Sequence, residues 1–303
     1  MILCSLSTGN LEFYCGEGLL YKSLQISYLE TNMSMEKEDK CLSIYGSRKH
    51  NYFTVASTVA TQIPHTVGAA YSLKMEKQDS CAITYFGTST ADFHAAMNFA
   101  AVMEVPVIFF CRNNGWAINT PVHEQFGSDG GVVKGKAYGV PSIRIDGNDA
   151  LAIYNAVHEA RKRAIKEQTP VLIEALTYRA GHHTTSDDST RYRAIDEIER
   201  WRGDQNPIKR FRKWIESRGW WKDVAESEYR SSIRKQVAQA IQVAERIEKP
   251  PVADMFNDVY DVPPRNLNEQ EVFVRKSSRN TEKIILLMFH CKAIFIFYLS
   301  HML

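Results

Sequence analysis

The sequence predicts an α/β fold, a parallel β-sheet flanked by helices and followed by a helical C-terminal extension. Three observations lead there. Short continuous apolar runs recur at residues 80–86, 107–111 and 171–176, with a further strand at 142–147. Strands buried on both faces of a parallel sheet need such runs. Segments with helical spacing lie between the runs, the alternation that builds βαβ units with right-handed crossovers. After Arg193 the chain turns charged and helical.

The first run, Ser80-Cys81-Ala82-Ile83-Thr84-Tyr85-Phe86, stops at Gly87. The Ala-rich stretch 92–103 that follows has high helix propensity. Pro106 then opens Val107-Ile108-Phe109-Phe110-Cys111, and a further strand is expected at 142–147. Asn148 or Asp149 caps the next helix, in which Leu151, Ile153, Tyr154, Val157, Ala160 and Ile165 keep helical spacing. Pro170 starts the strand 171–176. Residues 196–202, 207–218 and 224–247 read as amphipathic helices that pack on the sheet flank or on a partner subunit. In such sheets ligands bind outside the C-terminal ends of the strands.

A length of 303 residues suffices for a sizeable core, and 44% apolar with 24% charged residues is ordinary for a globular protein. A net charge of +2 without a basic stripe gives no basis for a nucleic-acid partner. The six cysteines are scattered without metal spacing, and Cys81 and Cys111 fall in apolar strands, so reduced, buried thiols are expected. Residues 284–303 form an apolar tail long enough to span a bilayer. Lys292 near its middle costs about 2.5–3.5 kcal/mol on insertion scales, which argues against a membrane span.

The most informative segment is Thr177-Tyr178-Arg179-Ala180-Gly181-His182-His183-Thr184-Thr185-Ser186-Asp187-Asp188-Ser189-Thr190-Arg191-Tyr192-Arg193. It packs adjacent histidines, adjacent aspartates, arginines and hydroxyls behind a buried strand. Histidine changes charge near neutrality, and polar loops at strand ends are where active sites sit. A second polar turn, Arg112-Asn113-Asn114-Gly115-Trp116, follows the strand at Val107.

From Tyr45 to Val262 the chain resembles the E1 alpha subunits of branched-chain 2-oxo acid dehydrogenases, and most of all those of plants; His-His-x-x-Ser-Asp-Asp-Ser and the Asn-Asn turn carry the likeness. The resemblance implies a thiamine diphosphate-binding fold and a subunit that decarboxylates branched-chain 2-oxo acids in amino-acid catabolism. It implies that His183 stands near the reactive carbon of the cofactor and that Arg179 and Tyr192 support its loop, with Asp187 and Arg193 ordering it. Arg112 would meet the phosphates, and Asn114 and the Trp116 carbonyl would bind Mg²⁺. In Val55-Ala56-Ser57-Thr58-Val59-Ala60-Thr61-Gln62, Ser57 and Val59 would touch the cofactor, while Ala56, Thr58, Thr61 and Gln62 would hold K⁺. Read from the residues alone, the same stretch is a helix start with a Ser/Thr cap.

The resemblance further implies an α2β2 heterotetramer with an E1 beta subunit, a lipoyl-bearing transacylase E2 as acyl acceptor, and a location in the mitochondrial matrix. A regulatory kinase would act at Thr184, whereas the family's later phosphorylation site is Ala194 here. No transit peptide is visible at the start of the chain, where no arginine precedes Arg48.

The chain also departs from the family around the expected cofactor site. Relatives continue from Tyr-Phe-Gly into Asp-Gly-Gly, which holds the metal-binding acid; here Tyr85-Phe86-Gly87 runs into Thr88-Ser89-Thr90-Ala91-Asp92, leaving Asp92 or Thr88 as stand-ins. The family's Met-Pro-x-His-Tyr-Gly survives only as Ser43-Ile44-Tyr45-Gly46, and no Tyr-Arg pair for the diphosphate is found in residues 1–40. The sequence therefore divides into an atypical segment 1–40, an α/β core 41–193, a helical extension of the same domain 194–265 and an atypical tail 266–303. The alternative to an active subunit is a non-catalytic alpha-like chain that lacks cofactor binding.

Overall fold

The computed structural model describes residues 2–5, 51–53, 60–87, 90–184, 186–246, 252–256 and 260–280. The apolar tail at 284–303 and most of the N-terminal segment lie outside them. Two compact units are formed, Met1–Gln242 and Val243–Leu303.

The first unit is organised by a six-stranded parallel sheet. Its strands are β1 (Ile2–Ser5), β2 (Tyr52–Phe53), β3 (Ala82–Phe86), β4 (Val107–Asn113), β7 (Ser142–Asp146) and β8 (Val171–Leu176), in the order β2-β1-β3-β4-β8-β7. The small hairpin β5 (Trp116–Ala117) and β6 (Thr120–Pro121) stands apart from it. The three apolar runs of the sequence thus become β3, β4 and β8, and the strand expected at 142–147 becomes β7. β1 was not expected from the sequence.

Alternation along the strands explains the layers, since successive side chains leave opposite faces. Ala82, Phe86, Val107, Phe109, Cys111 and Leu172 pack on one face against Ile63, Val67 and Ala70 of α1 (Gln62–Met75) and Phe93, Ala96 and Met97 of α2 (Ala91–Met103). The alternate positions Ile83, Ile108, Phe110, Val171 and Ile173 meet Ala160 and Ala164 of a long helix across the other face. After the hairpin come α3 (Val122–Gln125) and α4 (Gly130–Ala137), and the long helix is α5 (Ala150–Glu167). Of the two possible caps Asp149 is the one used, its carboxylate accepting from Leu151 N at 2.9 Å and Ala152 N at 3.1 Å. Cys81 and Cys111 are free and buried.

α4 lies close against the sheet at a glycine. A Cβ on Gly135 would collide with Ser142 Oγ and sit 2.8 Å from Leu172 Cδ2. Gly135→Ala is therefore expected to destabilise by about 1–2 kcal/mol, overpacking of about 1–3 outweighing a helix-propensity gain of up to about 1. Denaturant unfolding checks it, and a stabilised variant would show that the helix simply moves aside.

The charged segment after Arg193 forms α6 (Ile195–Arg202), α7 (Pro207–Ser217) and α8 (Asp223–Glu245). α7 begins with Asn206 as cap and Pro207 in its first turn. Arg210 Nη1 donates to Asp146 Oδ2 at 2.7 Å, and Asn148 Nδ2 to Gln205 O at 2.9 Å, which ties these helices to the end of β7. The second unit contains a 3₁₀ turn, Val252–Met255, and α9 (Arg265–Asn280), which touch each other. Among the described residues no helix is long and apolar enough to cross a membrane.

Candidate functional site

The two polar segments singled out in the sequence leave neighbouring strands at the same sheet end. β4 and β8 are paired in register up to Asn113 opposite Leu176, and Thr177 N donates to Asn113 O at 2.9 Å. The Asn-Asn turn and the His-His loop therefore start side by side at C-terminal strand ends, the place where parallel sheets bind ligands.

The first segment is two overlapping Asx turns. Asn113 Oδ1 accepts Gly115 N at 3.1 Å and Asn114 Oδ1 accepts Trp116 N at 3.0 Å. Gly115 takes φ +79°, a conformation that glycine adopts without steric cost. The hairpin then turns through Ile118 at φ +54°, uncommon for a β-branched residue, and the Ile118 carbonyl is held by Arg179 Nη2 at 2.6 Å. Arg112, just before the turn, lies against the Tyr85 phenol on β3.

The second segment is held by its own charges. Asp187 Oδ2 accepts the backbone N–H of His183 and the Tyr192 hydroxyl, each at 2.7 Å. Those two bonds hold its carboxyl below the usual aspartate range. Arg179, 2% exposed, also reaches Tyr192 Oη at 3.2 Å, so one guanidinium joins the hairpin to the loop. Arg193, 4% exposed, donates to the carbonyls of Arg179 and Gly181 and faces the rings of Tyr178, Tyr192 and Trp116. His182 Nδ1 accepts Ser189 N at 3.0 Å and closes the loop. From below, Tyr178 stacks on Trp201 of α6 at 5.1 Å, and Arg202 Nη2 donates to Ala180 O at 3.1 Å.

Of the residues expected at a site, His183, Arg179, Tyr192, Asp187, Arg193 and Trp116 are brought into one network; the Trp116 and Tyr192 rings are 5.6 Å apart. Asn114 and Arg112 stand at its edge on β4 and its turn. Thr184 is exposed, its hydroxyl 3.2 Å from Ser186 Oγ, and Ala194 is the exposed N-cap of α6. Thr61 is the N-cap of α1 but makes no capping hydrogen bond through its side chain, a difference from the expected Ser/Thr cap, and Gln62 is buried in the first turn. Ala56, Ser57, Thr58, Val59 and Thr88 lie outside the described residues.

Burial and the Arg179 guanidinium push the His183 imidazole below its ordinary value near 6.5, against a smaller opposing pull from Asp187. The unfolded chain then takes up the proton first on acidification. Loop stability from this group is complete above about pH 6.5 and is lost as pH falls through the lower folded value. The His183 ring is expected to titrate below 6.5 in NMR; a midpoint above 6.5 would mean that Asp187 outweighs burial.

Sequence reasoning missed Glu174. It hides inside the run Val171-Leu172-Ile173-Glu174-Ala175-Leu176 and is the one buried carboxylate among the described residues, at 0% exposure. The available signal was a lone acid in a strand buried on both faces, which must find donors. Asp129, Gly131 and Arg144, which surround it, were likewise not singled out.

The donors present suit a hard cation shared with phosphates. Asn114 Oδ1 has given one lone pair to Trp116 N and keeps another. Mg²⁺ characteristically takes only one or two protein oxygens beside those of a phosphate ligand. Asp92 lies in the first turn of α2, the helix that follows β3, and β3 is paired with β4. Among the described residues no group of three or more His, Cys, Asp and Glu is placed to hold a metal ion.

Residues 17–253 match the model of a family described as the dehydrogenase E1 component. Two relatives from Arabidopsis thaliana, named 2-oxoisovalerate dehydrogenase subunits alpha 2 and alpha 1, mitochondrial, are 66% and 60% identical over 77% of the chain and 50% of their own length. A third Arabidopsis relative, 54% identical over 75% of the chain and 61% of its own length, carries a 2-dehydropantoate 2-reductase name. The chain spans about half the length of the first two.

Proposed function

The chain belongs to the dehydrogenase E1 component family, and we propose that it acts as the alpha subunit of a thiamine diphosphate-dependent branched-chain 2-oxo acid dehydrogenase. The name shared by the two more similar relatives supports this over the reductase name of the third. The observation that carries the reading is that Arg179 joins the hairpin following the Asn-Asn turn, at Ile118, to the His183 loop, at Tyr192, beside paired strand ends.

When bound, thiamine diphosphate supplies the electron sink for decarboxylation. The protein's part follows from its own groups. Asn114 and the Trp116 carbonyl would hold Mg²⁺, with Asp92 taking the place of the family's acid, and Arg112 would meet the phosphates. Arg179, Asp187 and Tyr192 fix the loop so that His183 presents a neutral imidazole able to accept or return a proton. Ser57, Val59 and a K⁺ at Ala56, Thr58, Thr61 and Gln62 complete the site in this reading. The partners are an E1 beta subunit in an α2β2 assembly and a lipoyl-bearing transacylase that takes the acyl group, in the mitochondrial matrix. Phosphate on exposed Thr184 would place about −1.5 to −2 charge next to His183 and disfavour an anionic ligand there. Residues 41–193 form the cofactor core and 194–265 its helical extension, between the atypical ends 1–40 and 266–303.

The test is to co-express the full chain with a beta subunit and measure Mg²⁺-dependent thiamine diphosphate binding by calorimetry. Micromolar binding that is lost in Asp92→Ala supports an active subunit with a relocated acid. A stable complex that binds no cofactor would assign the chain to the alternative, a non-catalytic alpha-like subunit.

A further inference from the structure

Behind the Asn-Asn turn lies a carboxylate that the proposed chemistry does not use. Glu174 sits in β8 on the sheet face that carries Leu172 and Cys111, with no exposure to solvent. Its Oε1 accepts Asn113 Nδ2 at 2.9 Å and Gly131 N at 2.8 Å; its Oε2 accepts Val132 N at 3.1 Å and Arg144 Nε at 3.0 Å. Arg144 in turn binds Asp129 through Oδ1 at 2.9 Å and through its carbonyl at 2.5 Å. The Asp129-Gly130-Gly131 turn is shaped to this acid. Gly130 has φ +73°, and a Cβ there would stand 2.6 and 2.7 Å from the two carboxylate oxygens. Every side of the carboxylate is thus occupied by a donor, and a buried charge so satisfied has one orientation available to it.

One of the four bonds leads toward the candidate site. An asparagine amide has an accepting end and a donating end of nearly equal size. Glu174 can only accept, so it draws the NH₂ of Asn113 and leaves Oδ1 to take Gly115 N at 3.1 Å. Rotated by 180°, the amide would set its NH₂ against the Gly115 N–H, donor against donor, and unseat the turn that carries Asn114 Oδ1 and Trp116.

We propose that Glu174 is a positioning residue: through the Asn113 amide it aims the Asn114 oxygen and the Trp116 backbone at the cation of the cofactor. The proposal rests on the functional reading above for the identity of the cation. The orientation of the turn is tested independently of it.

The experiment follows amide hydrogen exchange across the full chain paired with a beta subunit, and Mn²⁺ affinity by EPR with thiamine diphosphate present. Glu174→Gln is expected to speed exchange at Gly115 and Trp116 and at Gly131 and Val132 by about tenfold, the β3–β4 ladder staying protected. Mn²⁺ affinity should fall about tenfold or more, as when a group orienting a metal ligand is removed. Asn113→Asp keeps the acceptor for Gly115 but faces Glu174 with a second carboxylate; it should loosen residues 115–116 and leave 131–132 unchanged. Combining the two substitutions reverses donor and acceptor, and should restore 115–116 but not 131–132.

Exchange that rises only at 131–132, with 115–116 and Mn²⁺ affinity unchanged, overturns the proposal and leaves Glu174 as an anchor of α4 alone. Failure of the double variant to restore 115–116 also overturns it. Should Glu174→Gln not fold, Asn113→Asp decides alone: loosening confined to 115–116 supports the relay, and no loosening removes it. A wild-type protein that binds no Mn²⁺ would sink the functional reading while the exchange pattern still decides the role of Glu174.

Discussion

Under the proposed function, His183→Ala is expected to lower kcat by about 10²–10⁴-fold, the range of a positioned proton-transfer group, while changing folding stability by less than about 0.5 kcal/mol. The separation of the two effects follows from how the loop is held. Asp187 is bound by the backbone N–H of His183, and the Tyr192 hydroxyl supplies its second bond. Alanine keeps that N–H, so the loop stays closed while the imidazole is gone. The His183 ring takes no part in the hydrogen bonds that order the loop, in contrast to His182, whose Nδ1 accepts from Ser189. Steady-state decarboxylation by the subunit pair, with an artificial electron acceptor, gives kcat and KM, and thermal unfolding gives stability. A fall in activity accompanied by an equal loss of loop protection would make His183 structural. Full activity in the variant would take proton transfer away from it.

Arg193→Ala should cost about 3 kcal/mol of stability and open the loop between Arg179 and Arg193. Its guanidinium donates to the Arg179 carbonyl and, at 2.9 Å, to the Gly181 carbonyl. It also stands 5.1 Å from the Tyr178 ring, 5.7 Å from Tyr192 and 5.9 Å from Trp116. Hydrogen bonds from a charged donor contribute about 1.5–3 kcal/mol each, and a desolvated cation–π contact about 0.5–2. The desolvation of the guanidinium offsets part of that sum. Alanine would leave two carbonyls in a nearly closed space and a void between three rings. Arg193→Lys keeps the charge but replaces the planar fork with a single point donor, and should recover less than half of the loss. Denaturant unfolding and limited proteolysis within 180–192 measure both variants. Unchanged unfolding in Arg193→Ala would show that the aromatic rings alone hold the loop.

The sheet was legible because its central strands are buried on both faces. Residues 82–86, 107–111 and 171–176 are apolar almost without interruption, and hydrophobic burial leaves such segments few alternatives, whereas the edge strand 142–146 alternates apolar with polar side chains. The His-His loop and the Asn-Asn turn were legible because titratable side chains clustered directly behind those runs. α4 was not: its sequence Gly-Gly-Val-Val-Lys-Gly-Lys-Ala contains three glycines, each costing about 1 kcal/mol in a helix interior. Its first turn is held by Glu174 from another strand, and local propensity carries no trace of that partner. The expected Ser/Thr cap at the start of α1 shows the same gap from the other side, since Thr61 occupies the cap position without making the bond.

The sequence by itself determined the strand and helix alternation, the sheet end at which chemistry would gather, and the residue types gathered there. All of these follow from the spacing of apolar and polar side chains along one chain. Only the tertiary structure decided that Arg179 joins the hairpin at Ile118 to the loop at Tyr192, and that Glu174 turns the Asn113 amide. Those bonds join residues far apart in the chain, Asn113 and Glu174 being 61 positions apart. Hydrogen-bond direction depends on which groups the folded sheet brings within about 3 Å of one another, and periodicity carries no such information.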